Sequence, residues 1–212
     1  MCLQNISKSG QVDQWIPMGS EGGSITMHNV GPDGSSKSFM HLERPHYNSG
    51  PGQENIDLSC FELNERYELK AKIKLVDGNG FPYQCDKSPE SKCDDPCPMF
   101  TFVHLSGGGV EQNLPLHNSL DSPWIAEEFN EYYAIFEVTQ TFLDSTSVGL
   151  FINGVKAGIN IIFDDVSLTK YTGSEETTTI PETDKLDGTC TSLVISGEAE
   201  VRSVVGYDSK CF

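Results

Sequence analysis

The stretch "RYELKAKIKLV" constrains the fold most. Leu69, Ala71, Ile73 and Leu75 alternate with Lys70, Lys72 and Lys74. A period of two turns successive side chains to opposite faces, so it predicts a strand with an apolar face for a core and a lysine face for solvent or a ligand. The same parity in "YYAIFEV" sends Tyr132, Ala134, Phe136 and Val138 inward, and Tyr133, Ile135 and Glu137 outward. Other short runs read the same way: "KSFMHLER", "MFTFVHL", "SVGLFING" and "INIIFDDVSL". Glycine-rich turn chemistry separates them in "GPDGSS", "DGNG", "SGGG" and "NGVKAG". Helical periodicity is weak, with one turn expected after Ser122 in "SPWIAEEFNEYY". The expectation is an all-β chain folded as an antiparallel β-sandwich.

Charge narrows the partners. The formal net charge is −17 over 212 residues, which makes nucleic acid and anionic membrane surfaces poor partners. No apolar run approaches the roughly 18 to 20 residues of a membrane span, and "MCLQNISKSGQ" lacks the basic start and apolar centre of a signal peptide.

The cysteines point to a mature or excised piece of a larger secreted protein. Seven of them are many for a reducing compartment. Three, Cys85, Cys93 and Cys97, fall in the polar loop "CDKSPESKCDDPC", which has no apolar packing to hold it. A disulfide among these three fits an oxidising compartment. The alternative is a zinc site of the same three cysteines with His104, although the spacings do not match the usual CxxC pairs. An odd count leaves one cysteine free or bonded outside the chain. The sequon Asn5-Ile6-Ser7 is compatible with secretion and N-glycosylation.

After Tyr171 the composition shifts. Residues 172–189, "TGSEETTTIPETDKLDGT", are acidic, threonine-rich and unable to build a core, and read as a linker. Residues 190–212 regain order signals but are too short for a domain. Their "TSLVISGEAEV" parallels the N-terminal "LQNISKSGQVDQW", as though a second copy of a tandem array begins there. Residues 1–171 are the expected sandwich. Within it, "GINIIFDDVSLTKY" sets two carboxylates, Asp164 and Asp165, in an otherwise apolar strand. Desolvating an unpaired charge costs several kcal/mol, so either the pair sits where the strand leaves the core or something positive meets it.

The order of motifs resembles the carbohydrate-binding modules of the 4/9/22 type. Ser9-Gly10-Gln11-Val12-Asp13 and Trp15 stand where those modules open, and "GPDGSSKSFMHLER", "GPGQENIDL" and "YELKAKIK" follow in family order. The closing "DDVSL" is present letter for letter at Asp164 to Leu168. The resemblance covers roughly residues 2–171 and implies a jelly-roll sandwich, found in tandem in extracellular proteins. It also implies a structural calcium ion held by Asp13, Asp33 and one of Asp164 and Asp165, with backbone carbonyls completing the shell. Parity within the strand groups Asp164 with Val166 and Leu168 and favours it over Asp165. The other reading leaves both aspartates as water-exposed strand-end acids.

The chain departs from the family where Lys72 stands at the position of a ligand-stacking tryptophan. Sugar recognition normally uses an aromatic face against the C–H face of the ring. Substitutes are Tyr133 on the same outward surface, and His104 where "MFTFVHL" turns it outward. Phe81, Tyr83 and Trp124 lie in loops, Trp124 alternatively as a loop anchor.

Two functions follow. One is a non-catalytic module binding a polysaccharide, with Lys70, Lys72 and Lys74 allowing an anionic one. The other is a structural or adhesive repeat that kept the sandwich and lost the sugar site. Catalysis ranks last: no GxSxG or HExxH motif is present.

Overall fold

The computed structural model describes residues 15–19, 22–34, 37–86, 96–106, 109, 111–120 and 122–173. The N-terminal copy of the suggested repeat, Asn5, Asp13, Cys93 and the segments beyond Gly173 lie outside the described residues. So do all but the first two residues of the expected 172–189 linker, and the whole of 190–212, expected as the start of a second module or a partial repeat.

Among the described residues, ten strands form two antiparallel five-stranded sheets. Sheet I is ordered β2 (Ser24–His28), β3 (Ser38–Leu42), β10 (Asn160–Lys170), β5 (Arg66–Val76) and β8 (Asn130–Glu137). Sheet II is ordered β1 (Ile16–Met18), β4 (Gly50–Gln53), β9 (Ser147–Asn153), β6 (Met99–Leu105) and β7 (Glu111–Leu116). The architecture is the expected all-β sandwich, consistent with a jelly roll.

The expected parity is what joins the sheets. Leu69, Ala71, Ile73 and Leu75 of β5 are buried, as are Tyr132, Ala134 and Phe136 of β8. They meet the inward faces of β6 and β9, which supply Phe100, Phe102, Val148, Leu150 and Ile152. Aromatic rings fill both ends of the layer. Trp15 and Phe39 pack on Phe163 at 4.6 and 5.6 Å between centroids, and Phe61, Tyr67, Phe102, Phe136 and Phe142 cluster at the other. Burial of this apolar area is the main favourable term of folding.

Two local expectations change. "YYAIFEVTQTF" does not continue as strand: Thr139 accepts from the Phe142 N–H and caps a short helix, α1 (Gln140–Leu143). A threonine side chain that satisfies a free helix N–H favours this start over an extended run. Near Ser122 there is no helix, only a turn in which Glu128 N–H donates to Ile125 O.

The loop after β3 is held by one side chain. Arg44 is buried, and its guanidinium donates to the carbonyls of Ser49 (2.8 Å from Nε and 2.6 Å from Nη2), Val155 (3.0 Å) and Ile159 (3.0 Å). Longer bonds reach Lys156 O and Tyr47 O, both at 3.3 Å. The charge is thus met by carbonyl dipoles of two loops, and burial lowers the Arg44 pKa to about 10.

Cys85 and Cys97 form a disulfide, with Cα atoms 5.0 Å apart. One bridge within the polar loop was expected, and this one closes it. Cys60 is half-buried and stands outside that bridge.

Candidate functional site

The outer face of sheet I carries the residues expected to bind sugar. Lys72 pairs in register with Glu131 of β8 and with Asp164 of β10. Its ammonium lies 3.3 Å from Asp165 Oδ2. Lys70 donates to Glu68 Oε1 at 2.8 Å and lies over the Tyr133 ring, 5.6 Å from the centroid. Tyr133 OH donates to Glu68 Oε2 (3.3 Å) and Thr169 Oγ1 to Glu68 Oε1 (3.2 Å). Burial pushes the Glu68 carboxyl up, but the bonds from Lys70, Thr169 and Tyr133 outweigh it and leave the pKa below the usual glutamate range. Lys74 donates to Glu127 O at 2.7 Å. The lysine face is therefore built from contacts within the protein. Its cations are matched by Glu68, Glu131, Asp164 and Asp165, and the Tyr133 ring already has Lys70 across it.

Asp164 and Asp165 occupy a β-bulge. Asp164 pairs with Lys72, but the next pair is Ser167 with Lys70, so Asp165 and Val166 together oppose Ala71. Asp165 takes the extra residue's left-handed conformation, φ 50°, which aspartate tolerates better than most residues. The bulge reverses the expected parity. Val166 and Leu168 face the core, whereas Asp164, by its register with Lys72, falls on the outer face. Asp164 is nonetheless only 6 % exposed. Burial raises its pKa, the Asp165 and Asp33 charges push the same way, and the Asp165 N–H (2.8 Å to Oδ1) and Lys72 oppose.

Asp13 lies outside the described residues, and among the described residues no three His, Cys, Asp or Glu are placed to hold a metal. Asp33, near enough to act on Asp164, is exposed. A calcium shell takes six to eight oxygens, so these carboxylates would need Asp13 and backbone carbonyls beside them. The positive group that meets the aspartate pair is Lys72.

Two other sugar-site candidates are corrected. His104 faces the core, since it pairs with Val148 on the inward side of β9. Its Nδ1 lies 2.8 Å from Ser145 Oγ, a hydroxyl that is also 3.0 Å from Thr141 O. The ring also packs near Phe142, and burial lowers its pKa. With Cys85 bonded to Cys97 as well, the zinc alternative has no ligand set. Trp124 is 6 % exposed and part of the core, its carbonyl held by Gln84 Nε2 at 2.9 Å, so it is the loop anchor. Tyr83 is half-buried against the same core, its N–H on Leu75 O. Phe81 is exposed at the tip of the Asp77 turn.

The outer face of sheet II went unnoticed in the sequence. Register turns Ile16 and Met18 (β1), Gly50 and Gly52 (β4), Gly149, Phe151 and Asn153 (β9) to it. From β6 and β7 come Met99, Thr101, Val103, Leu105, Asn113 and Pro115. Its floor is Phe151, 5 % exposed, flanked by Gly52 and Thr101. Thr101 Oγ1 donates to Asn153 Oδ1 at 3.1 Å. Glu111 is the one charged residue that register turns to this face among the described strand residues. Tyr47 lies at one end, its carbonyl accepting from Gly154 and its ring 4.2 Å from that of His46. Period-two reading of "SVGLFING" already puts Phe151 opposite the core residues Leu150 and Ile152. The signal was present, but an apolar outward residue is hard to tell from core in so apolar a run.

No protein-family model matches the chain, and no curated protein matches it. Solved structures do. The chain is similar to the CBM22-1–GH10 modules of Clostridium thermocellum endo-1,4-β-D-xylanase 10B complexed with xylohexaose. Identity is 16 % and the TM-score 0.57 over 82 % of this chain and 30 % of that one. It is also similar to the CBM22-1 xylan-binding domain of Paenibacillus barcinonensis Xyn10C, at 14 % identity and TM-score 0.55, over 79 % of this chain and 92 % of that. A third is the C-terminal family 22 carbohydrate-binding module of Clostridium thermocellum Xyn10B, at 13 % and 0.53, over 78 % and 95 %. The chain thus spans about a third of the first protein and nearly all of the single modules. The fold is that of the family 22 carbohydrate-binding modules.

Proposed function

We propose that this chain is a non-catalytic module that binds a neutral polysaccharide along the outer face of sheet II. The observation that carries the reading is the chemistry of that face: Met18, Val103, Leu105, Pro115 and Asn113 are at least partly exposed over a buried layer of Phe151, Thr101 and Asn153, and Glu111 is the single charge that register turns to it among the described strand residues. A sugar chain offers C–H faces and hydroxyls, and such a surface complements both without desolvating an ion. The solved structures of the same fold include xylan-binding domains, which supports a polysaccharide ligand. On sheet I, by contrast, the pairing of Lys70 with Glu68 and of Lys72 with Asp165 speaks against the anionic polysaccharide that the lysines allowed. The Cys85–Cys97 bridge supports an extracellular setting, and no helix among the described residues is long and apolar enough to cross a membrane.

The test is affinity electrophoresis in gels containing neutral xylan, neutral β-glucan or polygalacturonate. Retardation is expected in a neutral gel, lost in Val103→Glu, which sets a charge into the sheet II face, and kept in Lys72→Glu. Loss in Lys72→Glu with retention in Val103→Glu would move the site to sheet I. No retardation in any gel would favour the structural-repeat reading.

A further inference from the structure

On the sheet II face one side chain lies across its neighbours. Met18 belongs to the edge strand β1 and pairs with Gly50, while Ile16 pairs with Gly52 and Gly52 with Phe151. The thioether of Met18 runs along the sheet. Its Sδ sits over Gly52, and its Cε reaches β9, where a Cβ on Gly149 would lie 2.8 Å from it. Neither glycine has a positive φ, so backbone conformation does not require glycine there. Glycine weakens a strand interior, and where no turn demands it the usual reason is close approach by another group. At Gly52 a Cβ would meet the Met18 Sδ and also Phe151 Cβ (2.5 Å) and the Leu150 carbonyl (2.8 Å), so Met18 and strand β9 together hold that position to glycine. Met18 is laid in a slot floored by Gly52 and Gly149, beside Phe151, with the Gln53 carbonyl on its border (3.2 Å from the Gly149 Cβ position).

We propose that Met18 sets the sugar specificity of this face. Its Sδ and Cε fill the space that the exocyclic hydroxymethyl group of a hexose would enter. This rests on the polysaccharide-binding reading above. A β-1,4-linked xylose chain and a β-1,4-linked glucose chain differ only in that group, of two heavy atoms. With Met18 in place the slot is closed, and a pentose chain lies flat over Met18, with Phe151 beneath it. With Met18 shortened, the slot admits the hydroxymethyl and the Gln53 carbonyl borders its hydroxyl. A difference of this size in an apolar slot is worth about tenfold in affinity.

The experiment is isothermal titration of the whole chain with xylohexaose and with cellohexaose, for the wild type, Met18→Ala and Met18→Leu. The wild type is expected to favour xylohexaose by about tenfold. Met18→Ala is expected to narrow that ratio at least fivefold, mainly by tighter cellohexaose binding, and Met18→Leu, which keeps the volume, to preserve it. Met18→Val, with a shorter side chain suited to a strand, repeats the test should the alanine variant not fold. A wild type without preference, or a ratio that changes less than fivefold in the shortened variant, would overturn the role of Met18 and leave the binding module standing. Binding of neither sugar nor any other neutral glycan would remove the module reading itself.

Discussion

Replacing Arg44 by methionine should cost about 4 kcal/mol of stability. The guanidinium makes four bonds of 3.0 Å or less to three carbonyls, those of Ser49, Val155 and Ile159. Methionine fills much of the same volume but donates nothing, so three buried acceptors lose their partner at roughly 1–2 kcal/mol each. Part of that is returned because the cation no longer has to be desolvated. The loss is a large share of the 5–15 kcal/mol typical of a domain and corresponds to a fall in Tm of about 10 °C at this size. Lysine keeps the charge but has a compact tetrahedral head with three donors, so Arg44→Lys should fall between the wild type and Arg44→Met. Urea unfolding followed by the fluorescence of Trp15 and Trp124, both buried, measures the effect as a shift of midpoint at constant slope. A methionine variant within about 1 kcal/mol of the wild type would refute the reasoning, and would mean the two loops are held by packing alone.

Acid should destabilise the fold through His41. It is 0 % exposed, and burial with help from Arg44 lowers its pKa to about 4 against a weaker upward pull from the Gly22 backbone. The unfolded chain therefore binds the extra proton between pH 6.5 and 4, and stability drops by about 3 kcal/mol over that window; His41→Phe should flatten the measured dependence. Removing the Cys85–Cys97 bridge in a double serine variant should cost roughly 3 kcal/mol from its short loop, read by thermal melting with and without reductant. Asp164→Asn should leave Tm unchanged or raise it, because burial and the Asp165 and Asp33 charges disfavour the ionised form; a fall in Tm seen only in calcium buffer would support a calcium site.

The legible part of the fold was the part written in period two. β5 and β6 have the bounds that their alternating or apolar runs predicted, since a one-residue slip would turn a buried face to water. The strands that went unread, β1, β2, β4 and β7, carry little side-chain signal of their own. β4 is "GPGQ" and β7 contains Pro115; both are poor strand formers in isolation and are held by the neighbours they pair with. The same dependence hid the sheet II face, because its lining comes from five strands of which three give no periodic pattern.

The two aspartates show most clearly where local reading stops. Period two, carried through "FDDVSL", places Asp164 with Val166 and Leu168, and from that face a buried ion is a natural inference. One additional residue in the strand cancels the parity. Nothing in the letters marks a bulge there, since aspartate is a weak signal for a left-handed residue and no glycine stands beside it. With the extra residue counted, Asp164 emerges opposite Lys72, and Asp165 turns to meet the same ammonium. Lys72, the residue that looked like a lost sugar platform, and the aspartate pair, which looked like a metal site, thus answer one another across adjacent strands. That pairing accounts for the lysine face without a ligand and leaves the nearly uncharged face of the opposite sheet as the surface with chemistry to spare for one.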